Sequence, residues 1–223
     1  MKFGVVVFPG SNCDRDIIQA LQDDMRQEVI QLWHKDRDLT MFNSTDCIVL
    51  PGGFSFGDYL RCGAIAKFSP MMQSVIDFAN AGGKVLGICN GFQILCESGL
   101  LPGVLLRNAN MQFVCKNVFM KNDNGDPGQV IKIPIAHGEG RFYAAPETIK
   151  KLFENKQVLY RYCDKDGFIN EDANPNGSTL SIAAICNRER NVVGMMPHPE
   201  RACSKDLGNQ DGKKVLQYLF SIN

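Results

Sequence analysis

Cys89, His198 and Glu200 are residues whose types and settings could do chemistry together. Cys89 lies at the centre of Gly87-Ile88-Cys89-Asn90-Gly91, a Gly-x-nucleophile-x-Gly turn that follows an apolar run. Glycines on both sides let the chain fold sharply and let a helix pack close, so the sulfur projects from the end of a strand. At the start of that helix the thiolate is favoured over the thiol. Met196-Pro197-His198-Pro199-Glu200 supplies a base and its orienter. Pro199 biases His198 toward extended backbone, in which residues two apart share a side. One imidazole nitrogen would then face Cys89 and the other Glu200, making a centre for hydrolysis or acyl transfer.

Each motif also has a plainer reading. A buried cysteine is often only a small hydrophobe, and a histidine between prolines is often a loop residue. Their common order, each after a strand-like run (84–88 and 191–196), favours the chemical reading. The loop Pro51-Gly52-Gly53-Phe54-Ser55-Phe56-Gly57-Asp58-Tyr59 has no Gly-Lys-Ser/Thr after it, which argues against a phosphate cradle. The peptide N–H groups of Gly53 and Asn90 could instead hold the oxyanion of a tetrahedral intermediate, with a plain turn as the alternative. His137-Gly138-Glu139-Gly140 follows a strand end and could line a pocket or be structural.

The elements that must position these residues alternate. A strand at 2–8 leads to a helix at 13–25; strands at 28–33 and 46–50 follow, then a helix from Ser69 to the Gly82-Gly83 stop. The strand 84–88 and a helix at 92–98, ended by Gly99, flank the turn. This alternation predicts an α/β fold, a doubly wound, mostly parallel sheet with a nucleophile elbow. Strand-like runs at 112–120 and 129–135, joined by a polar turn at 122–128, predict an antiparallel hairpin addition. A helix at 146–154, strands at 158–162, 180–186 and 192–196, and a helix at 212–221 complete the chain. In such sheets ligands bind beyond the carboxyl ends of the strands, where the elbow, the Gly52-Gly53 loop and His198 would meet.

The 223 residues suit one domain, 1–223, able to bury its own core. Lys plus Arg and Asp plus Glu both number 24, so no basic field attracts nucleic acid or an anionic membrane. Nine cysteines without a signal-like start, and no apolar run of membrane-spanning length, point to the cytoplasm. The three histidines, at 34, 137 and 198, share no metal-ligand spacing with cysteine, so no metal is expected. His34 reads as a solvated strand end, and the cysteines other than Cys89 read mostly as core.

Gly87 to Gln93 together with His198-Pro199-Glu200 resembles the class I, or triad, glutamine amidotransferases. Residues 8–14, 51–61, 137–140 and 194–201 are similar, more narrowly, to the glutaminase subunits of phosphoribosylformylglycinamidine synthases. The resemblance implies hydrolysis of L-glutamine to glutamate and ammonia by Cys89, His198 and Glu200, with Gly53 and Asn90 as the oxyanion hole. Gly52, Gln93, His137, Gly138 and Glu139 would lie near the substrate. It further implies a separate synthetase subunit, which binds ATP and Mg and converts formylglycinamide ribonucleotide to the amidine in purine biosynthesis, and a small bridging subunit; this chain would hold no cofactor. Asn110 stands where the family often has serine, so contacts of the loop 108–113 do not transfer. An amidotransferase of another pathway, and a cysteine peptidase or esterase, use the same triad and remain open.

Overall fold

The computed structural model describes residues 1–125 and 130–222. Its strands are β1 (Lys2–Val7), β2 (Glu28–Trp33), β3 (Cys47–Leu50), β4 (Lys84–Ile88), β5 (Val104–Leu106), β6 (Val114–Asn122), β7 (Val130–His137), β8 (Arg141–Tyr143), β9 (Val158–Cys163), β10 (Ile182–Cys186) and β11 (Val192–Met195). The α-helices are α1 (Asp14–Gln19), α2 (Pro70–Asn80), α3 (Asn90–Glu97), α4 (Pro146–Glu154) and α5 (Asp211–Ser221), with a π turn at Ala20–Asp24 prolonging α1. One nine-stranded sheet runs β2-β1-β3-β4-β11-β10-β9-β6-β7. The strands from β2 to β11 pair in parallel. Those from β11 to β7 pair antiparallel.

Register and side-chain contacts settle which helices cover which face. Phe3 packs at a tilt against Phe220 of α5, with ring centroids 4.7 Å apart. Gly87, of opposite parity to the residues in register with Phe3, lies against Gly91 and Leu95 of α3. The sheet is therefore sandwiched, α5 on one face and α3 on the other. Every residue of β3 and β11 is buried, as expected for strands covered on both sides.

The predicted fold class is present, as are the predicted elements. The hairpin β6–β7 is antiparallel and joins the main sheet through β9; residues 126–128 of its expected turn and residue 129 of its second strand lie outside the described residues. Helix α3 starts at Asn90, two residues earlier than expected, because the bend is made by Cys89 itself, at φ 50°. The run at 180–186 yields a strand only from Ile182, after a 3-10 turn at Thr179–Ser181. A two-stranded antiparallel sheet, β5–β8, was not anticipated. His34 is buried rather than solvated, its ring packed edge-on against Phe56 of the glycine-rich loop at 5.3 Å.

Candidate active site

Parallel pairing brings the two chemical motifs together. Ile88 is in register with Met195 on the neighbouring strand β11, so Cys89 and the 196–198 segment leave the sheet side by side at its carboxyl edge. Leu50 pairs with Gly87, which delivers the glycine-rich loop to the same edge. The bend at Cys89 is a left-handed backbone that few side-chain-bearing residues adopt. The glycines around it are required by close approach: a Cβ on Gly91 would lie 2.0 Å from the Leu50 carbonyl oxygen.

His198 and Glu200 form a buried pair, Nδ1 to Oε1 at 2.6 Å. The expected extended geometry is not reached: His198 sits at φ −101° and ψ 84°, and Pro199–Ala202 is a 3-10 turn that still returns the carboxylate to the ring. Among the described residues, His198 Nε2 is buried with no hydrogen-bond partner. A Cβ on Gly52 would sit 2.8 Å from His198 Cε1 and 3.4 Å from Cys89 Cβ, so the bare glycine is what lets the His198 ring and Cys89 crowd together. Burial opposes a charged imidazole, but the Glu200 carboxylate and the Cys89 sulfur outweigh it and raise the His198 pKa. A protonated imidazole suits this environment.

Cys89 and His198 open on a cavity of about 190 Å³ also lined by Gly53, Gln93, His137, Gly138 and Glu139. That is room for a ligand of amino-acid size, below the range of drug-sized sites. A larger depression of about 680 Å³, between residues 109–110 and 161–181, contains none of the reactive groups and so does not displace the smaller cavity as the candidate site. Gly53 sits at φ 117°, where an added Cβ would lie 2.6 Å from Asn12 N, and it makes no backbone hydrogen bond through its N–H among the described residues. Gln93 Nε2 donates to the Glu139 carbonyl at 2.7 Å. His137 lines the cavity with both ring nitrogens engaged, by Asn108 Oδ1 at 3.1 Å and Asn176 Nδ2 at 3.5 Å. Burial first, and then the charge of His198, lowers its pKa to about 4, so it stays neutral.

Several lining residues were not foreseen: Asn12, Cys13, Phe54, Asp58, Cys62, Phe113 and Arg201. Cys13 belongs to the turn after β1, and the carboxyl-edge rule applied to that strand would have found it. Its thiol, pushed up to about 12 chiefly by burial, accepts from the Arg201 guanidinium at 3.1 Å. Cys62 is likewise raised, by burial and then by its hydrogen bond to Asp58. Burial also raises Asp58. Among the described residues no cluster of three or more His, Cys, Asp or Glu is placed to hold a metal ion. None of the described helices is long and apolar enough to cross a membrane.

A family model described as CobB/CobQ-like glutamine amidotransferase domain matches residues 1–216. The phosphoribosylformylglycinamidine synthase subunit PurQ of Moorella thermoacetica is 56% identical over 224 residues, covering 97% of this chain and 94% of that one. The subunit of the same name from Acaryochloris marina is 54% identical over 229 residues, covering 99% and 96%. A chain in the solved structure of PurLQS from Thermotoga maritima superposes with a TM-score of 0.82 at 40% identity, covering 98% of this chain and 96% of that one.

Proposed function

The chain belongs to the CobB/CobQ-like glutamine amidotransferases, among the PurQ subunits of phosphoribosylformylglycinamidine synthase, and from that premise we propose how its residues do the work. It is the glutaminase subunit: L-glutamine and water become glutamate and ammonia. Cys89 Sγ attacks the side-chain amide carbon, and the N–H groups of Gly53 and Asn90 receive the oxyanion. His198 passes a proton to the departing nitrogen, releasing ammonia and leaving a thioester. Water, deprotonated by His198, then hydrolyses the thioester, and glutamate leaves. Glu200 holds the imidazole in the productive tautomer throughout. Gly52, Gln93 and the 137–139 segment shape the glutamine pocket.

The observation that best supports this reading is the strained bend at Cys89 beside a buried His198–Glu200 pair whose Nε2 is unengaged. The ammonia serves a synthetase subunit that converts formylglycinamide ribonucleotide to its amidine, with ATP and Mg held by that synthetase; a small third subunit completes the assembly, a reading supported by the likeness to a chain of PurLQS from Thermotoga maritima. The whole chain acts as one amidotransferase domain in the cytoplasm. Incubating it with the synthetase should yield glutamate and ammonia from glutamine in equal amounts, and no cleavage of peptide or ester substrates. Ester or peptide turnover without glutaminase activity would make the hydrolase reading the better one.

A further inference from the structure

The side chain of Asn90 is buried and makes three hydrogen bonds that tie separate walls of the cavity together. Its Oδ1 accepts from Ser55 N at 3.2 Å; its Nδ2 donates to Asp58 Oδ1 at 3.2 Å and to Gln93 Oε1 at 2.9 Å. Gln93 in turn donates to the Glu139 carbonyl. The direction of this chain is dictated at both ends. A carbonyl can only accept, so Gln93 must turn its Nε2 to Glu139 and its Oε1 to Asn90. A peptide N–H can only donate, so Asn90 must turn its Oδ1 to Ser55. A carboxamide meets both demands; aspartate offers no donor and an aliphatic residue neither group.

The loop that Asn90 grips is strained. Phe56, Asp58 and Leu60 all take left-handed backbone, at φ 53°, 54° and 70°, with Gly57 between them at 67°. Such residues persist only where their surroundings hold them. Two of the Asn90 bonds are to this stretch, at Ser55 and Asp58, and Ser55 stands two residues after Gly53. The catalytic turn and the second oxyanion donor are thus joined through one side chain.

We infer that the Asn90 carboxamide is a positioning residue for glutamine hydrolysis, clamping the strained loop that carries Gly53 against the turn that carries Cys89. This role is distinct from the peptide N–H of the same residue, and it rests on the glutaminase reading given above. Without the clamp the loop relaxes and the Gly53 N–H leaves the place where the oxyanion forms, while Cys89, His198 and Glu200 keep their own supports. Hydrolysis should then suffer and simple alkylation of the sulfur should not, because displacement of iodide from iodoacetamide develops no oxyanion.

The test uses the chain assembled with its synthetase and follows two reactions: glutamine turnover, and iodoacetamide labelling of the peptide containing Cys89. Asn90→Ala should lower kcat about 100-fold or more, the size of losing one oxyanion donor, with KM and the Cys89 labelling rate within about threefold of wild type. Asp58→Ala removes one bond of the clamp from the side of the loop, at a residue only partly buried. It should give the same pattern at about tenfold, and it decides the matter should Asn90→Ala not fold. Unchanged kcat in either folded variant, or turnover and labelling falling in parallel, would overturn the clamp. A wild-type complex that hydrolyses no glutamine would instead sink the functional reading, and the clamp with it.

Discussion

Three cysteines line the cavity, yet their surroundings separate them. Cys13 and Cys62 are held as thiols by burial, whereas Cys89 has the unengaged Nε2 of His198 beside it. A diazo-ketone analogue of glutamine should therefore label Cys89 alone among the nine, and peptide mass mapping checks it; appreciable label on Cys13 or Cys62 would move the nucleophile. Loss of the base should cost more than loss of its orienter. His198→Ala should reduce kcat by about 10⁵-fold or more, and Glu200→Gln by about 10²–10⁴-fold, with little change in KM. The pair also predicts a pH effect on stability. The folded pKa of His198 is raised above its ordinary 6.5. Its stabilisation is therefore full below that unfolded value and is lost as pH rises through the higher folded one. Wild-type Tm should fall as pH rises from 6.5 to about 10, and Glu200→Gln, lacking the carboxylate that raises the imidazole, should show a flatter curve. Equal slopes would remove Glu200 as the source of the shift.

At the elements' scale the site depends on close approach between β3, β4, β11 and the start of α3. A Cβ on Gly91 would strike the Leu50 backbone carbonyl at 2.0 Å, which neither strand nor helix can yield cheaply. Gly91→Ala should thus destabilise the protein at the upper end of the roughly 1–3 kcal/mol of overpacking, read as a lowered denaturation midpoint. A Cβ on Gly52 meets instead the His198 ring at 2.8 Å. Gly52→Ala should leave the unfolding free energy within about 1 kcal/mol of wild type and lower glutamine turnover at least about 100-fold by displacing His198. The reverse pattern would contradict this division of roles. Both glycines stand out in the sequence, as do the elbow and the His-Pro-Glu segment, because a nucleophile turn constrains residue types at fixed spacing. The three-residue strands β5 and β8 do not, being too short to carry an alternation. The left-handed backbones of Phe56, Asp58 and Leu60 carry no signal either, since side-chain type does not reveal strain that tertiary contacts impose. His34 misled for the same reason: its charged neighbours Lys35 and Asp36 suggest solvent, whereas packing on Trp33, Phe56 and Phe8 buries it.

The parallel half of the whole molecule was legible because alternating strands and helices constrain topology. How the antiparallel half continues the same sheet, β11 to β10 to β9 to β6, depends on pairings far apart in sequence that no local pattern encodes. At this scale the chemistry also constrains assembly. Ammonia released into water at neutral pH is mostly captured as ammonium, so turnover without an acceptor wastes glutamine. The loop bearing Gly53 offers a means of restraint. It combines left-handed residues at 56, 58 and 60 with an exposed apolar tip, Tyr59 and Leu60 being 74% and 93% exposed. A partner that binds only the productive form of such a loop shifts its population. Moving it from 1:99 to 99:1 takes about 5.5 kcal/mol of differential binding, within what a protein interface of ordinary size supplies. Glutamine hydrolysis should accordingly be slow for the chain alone, faster with the synthetase, and fastest with synthetase, ATP and formylglycinamide ribonucleotide together, the span from first to last reaching about 100-fold. Measuring kcat in these three conditions decides it. A lone chain that already turns over at the rate of the full assembly would mean that the loop is preassembled and that docking carries ammonia without switching the enzyme on.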